Sequence, residues 1–214
     1  MFSSQSLPVP TASSLRSLPT GPVAPWTLDL GEAVADLRIQ PQGPALDLRI
    51  GDSIVAEVRL TADQPLGDPE LADAIETTPG RRAQLRSPFG ELAVTVVAGA
   101  GGTLRLDLWS ETAKPAAWTL RLQTHHPLVA RSCRFEQPDT LWLEPTDATP
   151  WTAGLRWLSD AVPSETAADD FGVALRFPRG RQFVLSLNLA VADGKATAAR
   201  RAVDRALDAA FHPA

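Results

Sequence analysis

Residues 91–123 read ELAVTVVAGAGGTLRLDLWSETAKPAAWTLRLQ and decide the fold of this chain. Apolar residues alternate with polar ones in three runs, as where Leu104 and Leu106 flank an arginine. Alternation with a period of two places one set of side chains on a buried face and the other in water. Residues 99–102 and 111–115 interrupt the runs, so we predict three neighbouring antiparallel strands.

The same alternation recurs along most of the chain. Residues 46–60, LDLRIGDSIVAEVRL, form the clearest predicted hairpin, with a two-residue Gly-Asp turn. Residues 171–177 and 182–191 are predicted to form the last hairpin. Residues 145–164 contain three prolines and are predicted to be irregular. The spacing of these runs predicts about eleven or twelve strands.

Two segments favour a helix. Asp68 can cap a helix, Pro69 suits its first position, and apolar residues follow at positions 71, 72 and 75, so residues 68–76 are predicted to form a short one. Residues 194–211 repeat apolar side chains at intervals of three and four, which predicts an amphipathic C-terminal helix. The predicted fold class is therefore all-β: an antiparallel β-sandwich with a short internal helix and a C-terminal helix.

The first 25 residues differ in composition from the remainder. Residues 1–25 are rich in Ser and Pro and lack periodicity, so we predict an extended arm. Residues 26–214 are predicted to form a single β-sandwich domain that ends in the helix. An arm of this kind could bind a partner subunit, which would make the protein a homo-oligomer or part of a larger assembly.

Composition excludes several classes of partner. The net charge is −5 with both signs interspersed, which argues against nucleic-acid binding. No run approaches the roughly 20 apolar residues of a membrane span. The N-terminus has neither the basic nor the apolar region of a standard signal peptide, so a cytoplasmic or assembly-associated location is the default expectation. Cys133 is the single cysteine, which excludes an internal disulfide.

Histidines and carboxylates provide the candidates for catalysis. His125 and His126 are adjacent, and adjacent strand residues point to opposite faces, so we predict no metal site; no cofactor motif is present either. One histidine could act as a general base, with Glu136 or Glu144 as the acid, on the concave face of a sheet. This is the enzyme hypothesis.

Tryptophans provide the candidates for binding. Trp109, Trp142, Trp151 and Trp157 are the candidate ligand-binding residues. Trp109 shares the register of the polar residues around it and is predicted to point outward, whereas Trp118 shares the register of two leucines and is predicted to lie in the core. Aromatic rings near the surface are suited to stacking on sugar rings or to anchoring a protein partner.

The end of the chain also bears a family resemblance. A Pro178-Arg179-Gly180 turn, the strand at 182–191 and the alanine-rich helix at 196–211 follow one another. This order resembles the end of the N-terminal β-supersandwich domains of some carbohydrate-active enzymes. The resemblance implies a sugar-binding or structural module. In those families the helix leads into a helical catalytic barrel; we expect no such barrel in residues 1–214, so the resemblance assigns no catalytic residue.

Three functional hypotheses follow. The first is a non-catalytic binding or interaction module, for carbohydrate or protein, that uses the surface tryptophans. The second is a structural subunit of a larger bacterial or phage assembly that uses the N-terminal arm. A bacterial or phage origin is indicated by the preference for arginine, since Lys114 and Lys195 are the only lysines. The third is the His/carboxylate enzyme.

Overall fold

The structure is a computed structural model, and it describes residues 16–17, 26–29, 33–50, 52–64, 70–77, 80–87, 90–99, 103–124, 134–137, 140–143, 151–169, 171–193 and 197–211. The helix in this part of the chain is α1 Thr197–Phe211. The strands are β1 Arg16–Ser17, β2 Trp26–Asp29, β3 Val34–Gln40, β4 Gly43–Ile50, β5 Ser53–Ala62, β6 Glu70–Thr77, β7 Gly80–Ser87, β8 Gly90–Gly99, β9 Thr103–Ala116, β10 Trp118–Thr124, β11 Arg134–Gln137, β12 Thr140–Leu143, β13 Trp151–Ser159, β14 Glu165–Asp169, β15 Gly172–Arg176 and β16 Gly180–Asp193.

The strands form two antiparallel sheets. The nine-stranded sheet has the order β1-β6-β7-β8-β9-β16-β13-β12-β11, and the seven-stranded sheet has the order β14-β15-β10-β5-β4-β3-β2. The prediction of an all-β antiparallel sandwich is therefore confirmed, although the described residues contain sixteen strands rather than eleven or twelve.

The main core lies between the two sheets. Alternate residues of each strand point into it and are almost fully buried, as Leu104, Leu106 and Leu108 are on β9. Trp118 of β10 stacks on Phe183 of β16, with ring centroids 5.5 Å apart and an interplanar angle of 10°. This stack joins the two sheets, because β10 and β16 belong to different ones. Trp118 is thus a core residue, as its register predicts.

The chain passes from one sheet to the other at two points where we predicted hairpins or neighbouring strands. β8 and β9 pair with each other, but β10 pairs with β5 and β15 in the other sheet. The prediction of three neighbouring strands was therefore wrong for β10. The predicted last hairpin is also wrong, because β15 lies in the seven-stranded sheet and β16 in the nine-stranded sheet. Alternation identifies which residues are buried, and it does not identify the sheet that they join.

The predicted internal helix at residues 68–76 is a strand. Residues 70–77 form β6, which pairs with β7. A register shift between Leu71 and Asp73 interrupts the pairing. An extra residue of this kind breaks the period of two, so apolar residues at 71, 72 and 75 mimic the spacing of a helix.

The prediction that residues 145–164 are irregular is wrong for residues 151–159 and confirmed for residues 160–164. Residues 151–159 form β13, which pairs with β12 on one side and β16 on the other. Ala153, Leu155 and Trp157 alternate into the main core. The three prolines of this segment lie outside β13, so they do not interrupt the strand.

The C-terminal helix is confirmed, and it packs on the outer face of the nine-stranded sheet. Val203 and Leu207, one turn apart on α1, form a second buried cluster with Trp142 and Ala190. Gly154 of β13 leaves room for this contact, since a Cβ atom there would lie 2.6 Å from Val203 Cγ1 and 2.9 Å from Leu207 Cδ1. The helix therefore forms a third layer over part of one sheet.

Two residues of the predicted arm are described. Arg16 and Ser17 form β1, which pairs with Glu76 and Ile75 at the edge of the nine-stranded sheet. The remainder of residues 1–25 lies outside the described residues. The division into an arm and a single domain stays a prediction.

Candidate functional site

Part of the outer face of the nine-stranded sheet is apolar and open to solvent. Trp109 of β9 lies directly opposite Val184 of β16, and both point away from the main core. Trp109 is half-buried, Val184 is 42% exposed, and Leu158 of β13 is 63% exposed. Leu158 pairs with Ser186, so it is a diagonal neighbour of Val184. The prediction that Trp109 points outward is confirmed.

Polar side chains flank these apolar ones on the same face. Asp107 and Arg105 precede Trp109 at two-residue steps along β9, and Ser186 lies opposite Asp107 on β16. We call the surface made by Trp109, Val184, Leu158, Arg105, Asp107 and Ser186 the Trp109 face. Residues two positions apart on a strand are about 7 Å apart, so the Asp107 carboxylate and the Trp109 ring can contact one small ligand.

The Asp107 carboxylate is held in a fixed position. Its Oδ1 atom accepts a hydrogen bond of 2.5 Å from the Ser186 hydroxyl and another of 2.9 Å from Arg105 Nε. Oδ2 makes no hydrogen bond with the described residues, and the side chain is 27% exposed. One oxygen therefore orients the group while the other remains an acceptor for a ligand hydroxyl or amide.

Helix α1 covers the part of the sheet next to the Trp109 face. Arg156 of β13 donates from Nη1 to Asp208 Oδ1 at 2.7 Å and from Nε to the Thr140 hydroxyl at 3.1 Å. The Arg200 guanidinium lies 4.9 Å from the centroid of the Trp142 ring. These contacts stabilise the position of the helix, which lies beside the Trp109 face.

The other candidate tryptophans do not share the position of Trp109. Trp142 is 2% exposed beneath α1, and Trp157 is 4% exposed in the main core. Neither ring can stack on a ligand from solvent in this conformation. Trp151 is the first residue of β13, and its side chain lies outside the described ones. The four tryptophans therefore do not form one surface cluster.

The candidates for catalysis are mostly outside the described residues. His125, His126 and Glu144 belong to segments that the structure does not describe. Glu136 lies on β11, the outermost strand of the nine-stranded sheet, and its side chain is not described. The His/carboxylate site stays a prediction. Among the residues that are described, no three metal-ligating side chains lie together, and no helix is long and apolar enough to cross a membrane.

The outer face of the seven-stranded sheet is charged instead. Across neighbouring strands, Arg38 pairs with Asp47, and Arg49 pairs with Asp36 at 2.6 Å. Arg59 pairs with Glu57 on its own strand. Asp47 is only 7% exposed, so removal of the arginine beside it would leave a buried carboxylate without its ion-pair partner.

Sequence reasoning missed Val184, Leu158 and Ser186 as members of a surface. The sequence did contain a signal, since Val184 and Leu158 are apolar residues at outward-facing positions of their strands, where polar residues are expected. An apolar residue in a polar register is a candidate contact residue. The three side chains are far apart in sequence, and only strand pairing brings them together.

Comparisons with known proteins give remote likenesses only. No family model matches the chain, and no curated protein matches it. Among solved structures, a candidate kojibiose phosphorylase from the human microbiome is similar with a TM-score of 0.48 and 8% identity over 85% of this chain. This chain spans 32% of the length of that protein. The Slr1438 protein from Synechocystis sp. PCC 6803 is similar with a TM-score of 0.42 and 10% identity, over 79% of this chain and 96% of that one. Neither likeness assigns a function.

Proposed function

We propose that this protein is a non-catalytic module that binds a carbohydrate on the Trp109 face. The observation that supports the proposal is the half-buried Trp109 ring on an open sheet face, with the fixed Asp107 carboxylate two residues away. A pyranose ring has an apolar face that packs on an indole and hydroxyls around its rim that need acceptors. Trp109 supplies the first kind of contact and Asp107 Oδ2 supplies the second.

The neighbouring side chains fit the same role. Val184 and Leu158 extend the apolar surface beside Trp109, so a second sugar ring of an oligosaccharide would also find an apolar contact. Arg105 is 38% exposed and already oriented by Asp107, so its remaining N–H groups are available to hydroxyls. Because the surface extends over three neighbouring strands, β9, β16 and β13, an extended chain suits it better than a single monosaccharide.

A protein partner is the second candidate for this surface. Leu158 at 63% exposed and Val184 at 42% exposed are large apolar residues that monomeric proteins seldom cluster. A tryptophan at the centre of such a cluster is a frequent anchor of protein interfaces. Polysaccharide binding would support the first candidate, and self-association through this surface would support the second.

The test is binding to a panel of neutral polysaccharides by affinity gel electrophoresis. If the proposal is correct, at least one polysaccharide retards the protein. Trp109→Ala should then weaken binding by about tenfold or more, since a stacked ring contributes on the order of 1–2 kcal/mol. Asp107→Asn should weaken binding less, because an amide oxygen can still accept a hydrogen bond. Val162→Ser removes an apolar residue that is 83% exposed outside the Trp109 face, so it is the matched control.

Two results would contradict the proposal. The first is retardation that Trp109→Ala leaves unchanged. The second is the absence of binding to every polysaccharide together with concentration-dependent self-association that Leu158→Ser abolishes. The second result would assign the Trp109 face to a protein contact instead.

A further inference from the structure

A trough lies on the outer face of the seven-stranded sheet, on the opposite side of the sandwich from the Trp109 face. Its volume is about 260 Å³, and it runs along β15 between β10 and β14. Two interstrand spacings separate its walls, which gives a width of about 10 Å. This volume is below the roughly 300–1,000 Å³ of pockets for drug-sized molecules, so the trough suits one small ligand.

Small residues make the floor of the trough. Gly172 and Ala174 of β15 line it, and Ala167 of β14 lies opposite Ala174. A Cβ atom on Gly172 would lie 2.1 Å from the Leu122 carbonyl oxygen, so only glycine fits and the backbone is bare at that point. Glu165 of β14 and Arg176 of β15 lie opposite each other beyond Ala174 and form an ion pair of 3.8 Å.

The polar groups of the walls are arranged diagonally. Arg121 of β10 lies opposite Ala174, whereas Gln123 of β10 and Asp169 of β14 lie on either side of Gly172. The backbone of Arg121 is therefore nearer the Ala174 end and that of Asp169 nearer the Gly172 end. Oδ1 of Asp169 accepts a hydrogen bond of 2.9 Å from the Phe171 amide, and Oδ2 makes none with the described residues. The trough thus presents a cation, an amide and an acceptor oxygen to one ligand.

The charge on Arg121 is not neutralised within the described part of the chain. Arg121 lies directly opposite Arg59 on β5, and like charges in this position repel each other. Arg59 has an ion pair with Glu57, whereas Arg121 has none with a described residue. The other exposed arginines of this face that are named above, Arg38, Arg59 and Arg176, each have a carboxylate partner. A ligand carboxylate on Arg121 would supply the missing negative charge.

We propose that the trough binds a polyhydroxy acid, with its carboxylate on Arg121 and its hydroxyls on Gln123 and Asp169. The carboxylate accepts two parallel hydrogen bonds from the guanidinium. The hydroxyls donate to Asp169 Oδ2 and exchange hydrogen bonds with the Gln123 amide. A neutral sugar leaves Arg121 without an anion, and a simple acid such as acetate leaves Asp169 without a donor. The site is independent of the Trp109 face, since it lies on the other sheet.

The experiment is a calorimetric titration of the full chain with glucuronate and gluconate, with glucose and acetate as controls. Both acids carry a carboxylate and adjacent hydroxyls, one on a ring and the other on an open chain. We expect at least one of them to bind, and more tightly than either control. Binding of glucuronate alone assigns a sugar acid, and binding of gluconate alone assigns an open-chain acid. Both results support the site.

Substitutions locate the binding. Arg121→Gln should weaken it by about tenfold or more, because a charge-assisted contact is lost. Ala174→Leu should abolish it by filling the trough. Arg181→Gln removes an exposed arginine outside the trough and should have no effect. Thermal unfolding of each variant is compared with that of the parent protein to check that it folds. If Ala174→Leu does not fold, the effect of Arg121→Gln on binding tests the site by itself.

Three results would overturn the proposal. The first is no saturable binding of either acid at about 20 mM, which is weaker than a specific site requires. The second is equal affinity for glucose and glucuronate. The third is binding that Arg121→Gln leaves unchanged. Trp109→Ala should not alter glucuronate binding, so a failure of the carbohydrate proposal for the Trp109 face is distinguishable from a failure of this one.

Discussion

The outer faces of the two sheets differ, although their inner faces contribute to one apolar core. The nine-stranded sheet has a helix over Trp142 and an open apolar surface at Trp109. The seven-stranded sheet has ion pairs across its strands, such as Arg38 with Asp47, and the described residues place no helix over it. A sheet face can therefore be made compatible with water in two ways, by charge or by a cover. The apolar part of the Trp109 face, made by Trp109, Val184 and Leu158, has neither.

This comparison predicts a large difference between two tryptophans on the same outer face. Trp142→Ala should lower the free energy of unfolding by about 3–5 kcal/mol, because it removes a fully buried ring and leaves a cavity beneath α1. Trp109→Ala should lower it by less, about 1–2 kcal/mol, since the ring is only half-buried. Urea denaturation of the two variants gives the measurement. Equal losses would show that the helix does not distinguish the two regions.

The contact between helix and sheet can be tested at Gly154. Gly154→Val should lower the free energy of unfolding by about 1–3 kcal/mol, because the added methyl groups collide with Val203 and Leu207. Ala174→Val is the matched control on the uncovered outer face of the other sheet, where we expect a change within about 0.5 kcal/mol. Thermal and urea unfolding of both variants check this. If the free energy of unfolding of Gly154→Val equals that of the parent protein, α1 does not pack tightly on β13.

The outer face of the seven-stranded sheet contains the buried Asp47 carboxylate, and we expect the free energy of unfolding to depend on its ion pair. Arg38→Gln should lower the free energy of unfolding by about 1–2 kcal/mol, because the Asp47 side chain is 9% exposed and loses its neutralising partner. The value is less than that of a fully buried pair, since Arg38 itself is 43% exposed.

The matched control for this prediction is Arg86→Gln. Arg86 and Glu91 form an ion pair at 3.3 Å in which the side chains are 67% and 43% exposed. Removing such a pair should cost less than about 0.5 kcal/mol. Equal effects of the two substitutions in urea denaturation would contradict the role of Asp47 burial.

The smallest effect is expected on the open apolar surface. Leu158→Ser should change the free energy of unfolding by less than about 0.5 kcal/mol, because the side chain is 63% exposed. Leu207→Ala, beneath the helix, should lower it by about 2–5 kcal/mol in the same assay. A large loss in Leu158→Ser would show that another part of the chain covers the Trp109 face.

Local sequence patterns correctly predicted the features that depend on neighbouring residues, namely side-chain direction and the C-terminal helix. Leu104, Leu106 and Leu108 are buried as their alternation requires, and the helical spacing near Val203 and Leu207 corresponds to α1. Alternation depends only on the direction of successive side chains, so it can be recognised in the sequence alone. The same information placed Trp109 outward and Trp118 inward.

The predictions were wrong where the structure depends on contacts between distant parts of the chain. Residues 118–124 and 172–176 join the sheet opposite to the one we expected, because strand partners are not encoded in a strand's own period. The shift between Leu71 and Asp73 gave a strand the apparent spacing of a helix. The burial of Trp142 depends on a helix more than fifty residues later in the sequence, so no local signal could reveal it.

The Trp109 face and the trough were likewise beyond local patterns. Trp109 was identified as a candidate, but its neighbours Val184 and Leu158 are brought to it by the pairing of β16 with both β9 and β13. Arg121 occupies a polar position between Leu120 and Leu122 in an alternating run, and that pattern alone does not distinguish it from other outward-facing residues. Its exceptional position depends on Arg59 across the strand pair and on the small residues of β15.

The central position of β16 has a consequence for synthesis on the ribosome. β16 lies between β9 and β13, so both of these strands lack a partner on one edge until residues 180–193 have been made. An unpaired apolar strand edge invites pairing with other chains. A nascent chain that stalls before residue 180 would expose two such edges at once. We expect ribosome-stalled or truncated products to require chaperones, whereas the finished chain closes both edges with a single strand.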